Sequence, residues 1–183
     1  MSFNAFSLDT RILDGVKRAG FTNPTPIQEQ AIPVVLQEKD LLGLAQTGTG
    51  KTAAFLLPIF QRLMQNPSRK VRALILAPTR ELAEQIHQAS VDLGRHTGVK
   101  SVAIYGGVSK SPQLTALRRG PEIMVACPGR LLDHLNDRNI DLSHVEVLVL
   151  DEADTMCDMG FLPDVKRVIQ KLPAQRQTLF FSA

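Results

Sequence analysis

Leu41-Leu42-Gly43-Leu44-Ala45-Gln46-Thr47-Gly48-Thr49-Gly50-Lys51-Thr52-Ala53-Ala54-Phe55 runs from an apolar stretch, through a turn rich in glycine and threonine, into an apolar-periodic segment. The spacing predicts a strand, a tight loop and a helix in that order. Gly48 and Gly50 let the backbone curl so that successive N–H groups point inward, and the free N–H groups of the helix start add partial positive charge. Such a cradle suits phosphate oxygens. Lys51 is placed to reach β- and γ-phosphates, and the Thr52 hydroxyl to ligate Mg²⁺. The candidate nucleotide-binding residues here are Thr47, Gly48, Thr49, Gly50, Lys51 and Thr52. Ala45 stands where the strict phosphate-loop pattern has Gly. The plainer alternative is a glycine turn capping a helix.

A nucleoside triphosphatase also needs carboxylates, and Val145–Leu150 followed by Asp151-Glu152-Ala153-Asp154 places them at the carboxyl end of an apolar run. Open α/β sheets bind ligands at that edge. Asp151 is the candidate Mg²⁺ partner, acting through water because Mg²⁺ dehydrates reluctantly. Glu152 is the candidate group for polarising an attacking water. Lys51, Asp151 and Glu152 thus form the catalytic set, with Thr52 and Asp151 as the metal set. An acidic helix start would give the same letters, and the two readings can coexist.

Working outward, apolar runs at Leu41–Ala45, Val71–Ala77, Ser101–Tyr105, Glu122–Cys127, Val145–Leu150 and Thr178–Ser182 read as strands. Several are apolar throughout, as expected when helices cover both faces of a sheet. Helical patterns lie between them at Pro26–Leu36, Lys51–Met64, Arg80–His96, Ser111–Arg118, Arg130–Asn136 and Leu162–Lys171. This alternation predicts an α/β domain built on a mainly parallel, doubly wound sheet with helices on both faces.

The bulk numbers fit one globular domain: 183 residues, 44% hydrophobic and 21% charged. A net charge of +3 permits an anionic partner without requiring one. Cys127 and Cys157 stand apart with no metal-ligand spacing, so a reduced compartment is expected. The polar, acidic amino-terminal stretch does not read as a signal peptide, and no run approaches a membrane span. A cytoplasmic protein, with no membrane partner and a monomeric state, is the expectation. The core-strand pattern Thr178–Ala183 stops with the chain, which suggests that more chain follows.

Further motifs carry a resemblance. Asp151-Glu152-Ala153-Asp154 is the signature of the DEAD-box ATP-dependent RNA helicases, and other segments resemble that family in order along essentially the whole chain. Gly20-Phe21 through Pro26-Ile27-Gln28 is similar to the Q motif, with Phe3 upstream where the family has a lone aromatic. Pro78-Thr79-Arg80-Glu81-Leu82-Ala83 resembles motif Ia. Gly106-Gly107, with Gln113 beyond, resembles the GG motif, and Cys127-Pro128-Gly129-Arg130 resembles motif Ib. Phe181-Ser182-Ala183 looks like the start of Ser-Ala-Thr. Cys127 replaces a usual Thr, and Thr155 and Cys157 stand where Arg and Leu are common.

The resemblance implies a RecA-like P-loop NTPase domain, bacterial in type, that binds ATP and Mg²⁺ and couples ATP hydrolysis to RNA duplex separation. It implies that the Gln28 amide recognises adenine through one donor and one acceptor, with Phe21 packing on the base and Phe3 a less secure second support. By the same resemblance Pro78, Thr79, Arg80, Gly106, Gly107, Gly129 and Arg130 grip the RNA sugar-phosphate backbone with little sequence preference. Asp154 and Ser182 would couple phosphate occupancy to that face. The family uses a second, C-terminal RecA-like domain, absent from these 183 residues. Taken alone, the chain could therefore be an adenine-nucleotide-binding module without significant hydrolysis. A P-loop GTPase would want Asn-Lys-x-Asp, which is missing, and a small-molecule kinase a lid of clustered arginines. DNA stays open as a ligand on the motifs alone.

Overall fold

A computed structural model describes residues 2–183. The strands are β1 (Leu41–Leu44), β2 (Ala73–Leu76), β3 (Ser101–Ile104), β4 (Ile123–Ala126), β5 (Val147–Leu150) and β6 (Gln177–Ser182). They form one sheet in the order β1-β6-β5-β2-β4-β3, and every pairing is parallel. The helices are α1 (Thr10–Arg18), α2 (Pro26–Leu36), α3 (Lys51–Gln65), α4 (Arg80–Leu93), α5 (Lys110–Leu117), α6 (Pro128–Asn136), α7 (Ala153–Asp158) and α8 (Leu162–Ile169). A 3-10 turn covers Phe3–Phe6. The expected α/β layering is present, and the sheet is wholly parallel.

Because side chains alternate along a strand, the inner strands β2, β4 and β5 each feed two cores. Ala73 and Ile75 of β2 join Ile123 and Val125 of β4 in a core shared with α1 to α4. Leu74 and Leu76 join Met124 and Ala126 in a second core, closed by α6 and α8. Burial on both faces explains why β2, β4 and β5 are apolar throughout.

The edge strand β1 departs from that expectation. Its Gly43 is buried, but Leu42 and Leu44 are each 69% exposed, and Phe180 beside Leu42 on β6 is 39% exposed. Helices α6 and α8 close the second core over β2, β4 and β5, and that core includes no residue of β1 or β6.

Sequence runs overshot several strand starts for one physical reason. Arg72, Glu122 and Glu146 precede β2, β4 and β5 and form a charged cluster under the amino edge of the sheet. Arg72, 7% exposed, bonds Glu146 at 2.6 Å and the carbonyls of Leu63 and Asn66 at 3.2 and 2.7 Å. Glu122 lies 3.5 Å from the same guanidinium, and Arg62 bonds Glu146 at 3.0 Å. Burial pushes the Glu146 carboxyl up, but Arg72 and Arg62 together hold it below its ordinary range.

Removing one member of a buried pair leaves its partner uncompensated, so Arg72→Met should cost about 3–5 kcal/mol in urea unfolding. Leu42→Ser, on the uncovered face, should change the unfolding free energy of this chain by less than about 0.5 kcal/mol. Equal effects of the two substitutions would contradict this account of the amino edge.

Candidate functional site

The loop after β1 and the carboxylates after β5 meet at the carboxyl edge of the sheet, on either side of β6. Gly48 and Gly50 have φ of +84° and +93°, the left-handed conformations that a tight anion-binding turn needs and that glycine adopts without strain. A Cβ at Gly50 would also run into the Gln28 amide. Thr49 turns its hydroxyl back onto the Gln46 carbonyl at 2.6 Å, closing the loop on itself. Gly50 then caps α3.

Lys51 opens α3 and is only 6% exposed, yet its ammonium has no hydrogen-bond partner. Its nearest counter-charge is Asp151, at 3.9 Å. Asp151 is 2% exposed and accepts the Glu152 N–H at 3.0 Å. Burial pushes its carboxyl up to about 6, against the pull of Lys51. A buried ammonium without an acceptor is costly unless an anion completes it.

Glu152 caps α7 with φ 51° and ψ 51°. A left-handed backbone at a non-glycine residue costs about 1–2 kcal/mol. The turn carries the Glu152 carboxylate toward the loop, where it accepts the Thr47 hydroxyl at 3.3 Å. Ser182 at the end of β6 hydrogen-bonds Asp154, which holds that carboxyl below its usual range. So Thr47, Lys51, Asp151 and Glu152 converge, and Asp154 meets Ser182.

A cleft of about 480 Å³ is lined by Phe21, Gly48, Lys51, Thr52, Asp151 and Glu152, among others. Phe21 is 37% exposed and packs on Phe3 with ring centroids 6.3 Å apart. Phe3 itself is a core residue. Gln28 is fully buried and absent from the cleft wall: its amide oxygen accepts the Thr25 N–H at 2.9 Å, and its nitrogen donates to the Gly50 carbonyl at 3.0 Å. The residue is neither solvated nor free. It ties the start of α2 to the loop. The Thr-x-x-Gln spacing of a helix-capping box carries the first of these bonds and was readable in sequence.

The remaining candidates follow neighbouring strands. Pro78, Thr79 and Arg80 leave β2, Gly129 and Arg130 leave β4, and Gly106 and Gly107 leave β3; the three strands are adjacent. Thr79 caps α4 by accepting the Leu82 N–H at 3.2 Å. Arg80 lies over the Tyr105 ring at 5.0 Å, joining the first loop to the last. Gly106, Gly107 and Gly129 have open space where a Cβ would stand. Cys127 occupies the cap position of α6 without making a cap hydrogen bond, and burial pushes its thiol up to about 11. Sequence reasoning missed the Arg80–Tyr105 stacking and the Thr47–Glu152 bond, since both join segments far apart in the chain.

A wholly parallel α/β sheet, a glycine loop opening a helix and an acidic turn two strands away define a RecA-like P-loop domain. The DEAD/DEAH box helicase model matches residues 25–183, and this chain belongs to that family. It is 51% identical over 181 residues to the ATP-dependent RNA helicase CshA of Listeria monocytogenes, covering 99% of this chain and 35% of that protein. It is 50% identical over 182 residues to the DEAD-box ATP-dependent RNA helicase RhpA of Helicobacter pylori, covering 100% of this chain and 37% of that one. Among solved structures, a DEAD box protein from Methanococcus jannaschii superposes with a TM-score of 0.94 at 38% identity, over 100% of this chain and 50% of its own. The chain thus spans about a third of the length of the curated relatives it matches. No helix among the described residues is long and apolar enough to cross a membrane.

Asp151 gives a pH test. Between about pH 4 and 6 the folded chain holds a proton there that the unfolded chain has lost, so this contribution to stability is present at low pH and lost as pH rises through about 6. The stability of Asp151→Asn relative to wild type should therefore rise by about 2–3 kcal/mol from pH 4 to pH 7. A pH-independent difference would show that Asp151 titrates normally. Separately, Cys127→Thr should stabilise the chain by about 0.5–1 kcal/mol in urea unfolding by supplying the missing cap. No gain would mean that the α6 start is already satisfied.

Proposed function

We propose that this chain is the ATP-binding half of an ATP-dependent RNA helicase, one lobe of a longer cytoplasmic protein whose second RecA-like lobe lies outside residues 1–183. The observation that carries the reading is the Lys51 ammonium, buried, without an acceptor and facing a glycine-lined loop. A triphosphate supplies the anion that this group lacks. The amides from Thr47 to Thr52 complete the cradle, and Phe21 offers an apolar face beside it for a base.

The donor set suits Mg²⁺, a hard cation that takes oxygen ligands: the Thr52 hydroxyl and the Asp151 carboxylate would hold it. When bound, the ion neutralises charge between the β- and γ-phosphates. This chain's own groups do the rest. Lys51 holds the terminal phosphates. Glu152 accepts the Thr47 hydroxyl before ligand arrives, which keeps its carboxylate aimed at the loop, where it would polarise a water.

RNA is the proposed polymer, held by Pro78, Thr79, Arg80, Gly106, Gly107, Gly129 and Arg130. Open glycines allow close approach of a sugar-phosphate backbone, and Arg80 and Arg130 pair with phosphate. ATP would draw the two lobes together over that strand, Asp154 and Ser182 linking phosphate occupancy to the movement. The uncovered strip of Leu42, Leu44 and Phe180 fits further chain after Ala183 packing on this sheet. Adenine selection by Gln28 requires the side chain to be uncovered when nucleotide binds; its amide keeps one N–H and one lone pair for the base.

The test is a calorimetric titration of this chain with ATP, ADP, AMP and GTP. ATP and ADP should bind, AMP should bind far more weakly, and GTP should lose about tenfold or more in affinity. Lys51→Ala should remove about 1.5–3 kcal/mol of the ATP affinity. Equal affinities for ATP and AMP would sink the phosphate-cradle reading. In the two-lobed protein, Glu152→Gln should leave ATP binding intact while turnover falls about 10²–10⁴-fold.

A further inference from the structure

His134 lies on α6, fully buried, four residues after Arg130 and away from the nucleotide cleft. Its Nε2 is 2.9 Å from the Gln113 amide oxygen, and its Nδ1 is 3.4 Å from the Asn139 amide nitrogen. Asn139 can only donate from that nitrogen, so Nδ1 carries no proton and Nε2–H donates to Gln113. Burial first, then the nearby Lys110 and Arg130, hold the imidazole below its ordinary range, in keeping with this neutral form.

What Gln113 does with its other end gives the cluster its purpose. Its amide nitrogen donates to the Tyr105 carbonyl at 2.8 Å. Arg130 donates to the Val108 carbonyl at 2.9 Å and reaches the Gln113 oxygen at 3.4 Å. The carbonyls of Tyr105 and Val108 flank Gly106-Gly107, a pair that carries no side chain of its own to pack. Gln113 and Arg130 therefore hold the glycine turn from both ends, and His134 is the buried donor that fixes which way the Gln113 amide faces. With that donor gone, the Gln113 amide could rotate by half a turn and set its oxygen against the Tyr105 carbonyl, which needs a donor.

We propose that His134 is a positioning residue for polymer binding, fixing Gln113 and through it the Gly106-Gly107 turn and Arg130, without touching the bound strand. This rests on the reading that these loops hold RNA. Its structural core is the orientation of the turn, which can be tested apart from RNA.

The experiment uses this 183-residue chain with His134→Leu and His134→Gln. Glutamine reaches its Nε2 through as many bonds from Cα as histidine does, so it can restore the donor to Gln113. Hydrogen exchange of the amides from Gly106 to Ser109 should speed up about tenfold in His134→Leu and return most of the way in His134→Gln. Affinity for a labelled single-stranded uridine 12-mer should fall about fivefold to tenfold in His134→Leu and recover in His134→Gln, with ATP affinity unchanged within about twofold. Unchanged exchange in His134→Leu, or failure of glutamine to rescue it, overturns the proposal, since packing alone would then account for the residue. If His134→Leu fails to fold, Asn139→Ala decides: freeing Nδ1 should also speed exchange of the turn, and no change overturns the idea. Arg80→Ala and Arg130→Ala judge the other reading. If both keep full RNA affinity, the RNA face is wrong, while the exchange data still decide the role of His134.

Discussion

The site depends on one unfinished electrostatic contact. Lys51 and Asp151 are both withdrawn from water, yet they stand 3.9 Å apart, too far for a hydrogen bond. A pair built only for stability would close to about 2.8 Å and satisfy its remaining protons, because desolvated charges repay their cost only in good geometry. Here the pair stays open although both side chains are buried. The two residues leave β1 and β5, and β6 lies between those strands. Neighbouring strands are about 4.8 Å apart, so the strand ends are held roughly two spacings from each other. On the proposed reading, an anion fills the gap that this pair leaves open.

The same edge divides its labour by strand. The phosphate loop, the acidic turn and Ser182 belong to β1, β5 and β6. The candidate polymer loops belong to β2, β4 and β3. A wholly parallel sheet brings every one of these loops to the carboxyl edge, which is why residues from 47 to 182 can share one surface. The amino edge has the opposite character. There Arg72, Glu122, Glu146 and Arg62 pair closely and line no carboxyl-edge loop, and they serve only to hold the strand starts together.

Much of this was legible in the sequence, because the signals were local. A glycine loop between an apolar run and a helix, or an acidic turn after a run of Val and Leu, is written in consecutive residues. Helix α1 was missed although Asp9 caps it, with apolar positions at Ile12, Leu13 and Val16. Nine residues fall short of the length at which a periodic run is read as a helix, and α7 is shorter still. The exposure of Leu42 and Leu44 was illegible for another reason. Strand order decides which apolar run sits at an edge, and no composition of β1 reports its neighbours. Gln28 shows the limit at a single residue: its letters fit a base reader and a helix cap alike, and only the packing of Gly50 against it reveals the tie between α2 and the loop.

Backbone hydrogen bonds carry the ladders into the edge, and the first of them joins its two halves. The Asp151 N–H donates to Leu76 at 3.0 Å, the Ala45 N–H to Ser182 at 2.9 Å, and the Ala77 N–H to Ala126 at 3.0 Å. Each extends a strand ladder by one residue into a functional loop, so the loops begin from fixed points on the sheet. Leu76 matters most in this chain of contacts. It accepts from the carboxylate turn after β5, and two residues later its own strand becomes Pro78, the first of the candidate polymer contacts. A main-chain shift of the acidic turn would therefore either break that bond or pass into β2. Backbone at such a junction is costly to leave unpaired, which favours movement of the loops as a unit over local breakage. The acidic turn already holds Glu152 in a strained left-handed conformation, a state the surrounding ladder keeps in place. On the proposed reading, phosphate occupancy and the polymer face would be joined through main-chain geometry at the middle of the sheet, and the Ser182–Asp154 contact would repeat the link one strand away.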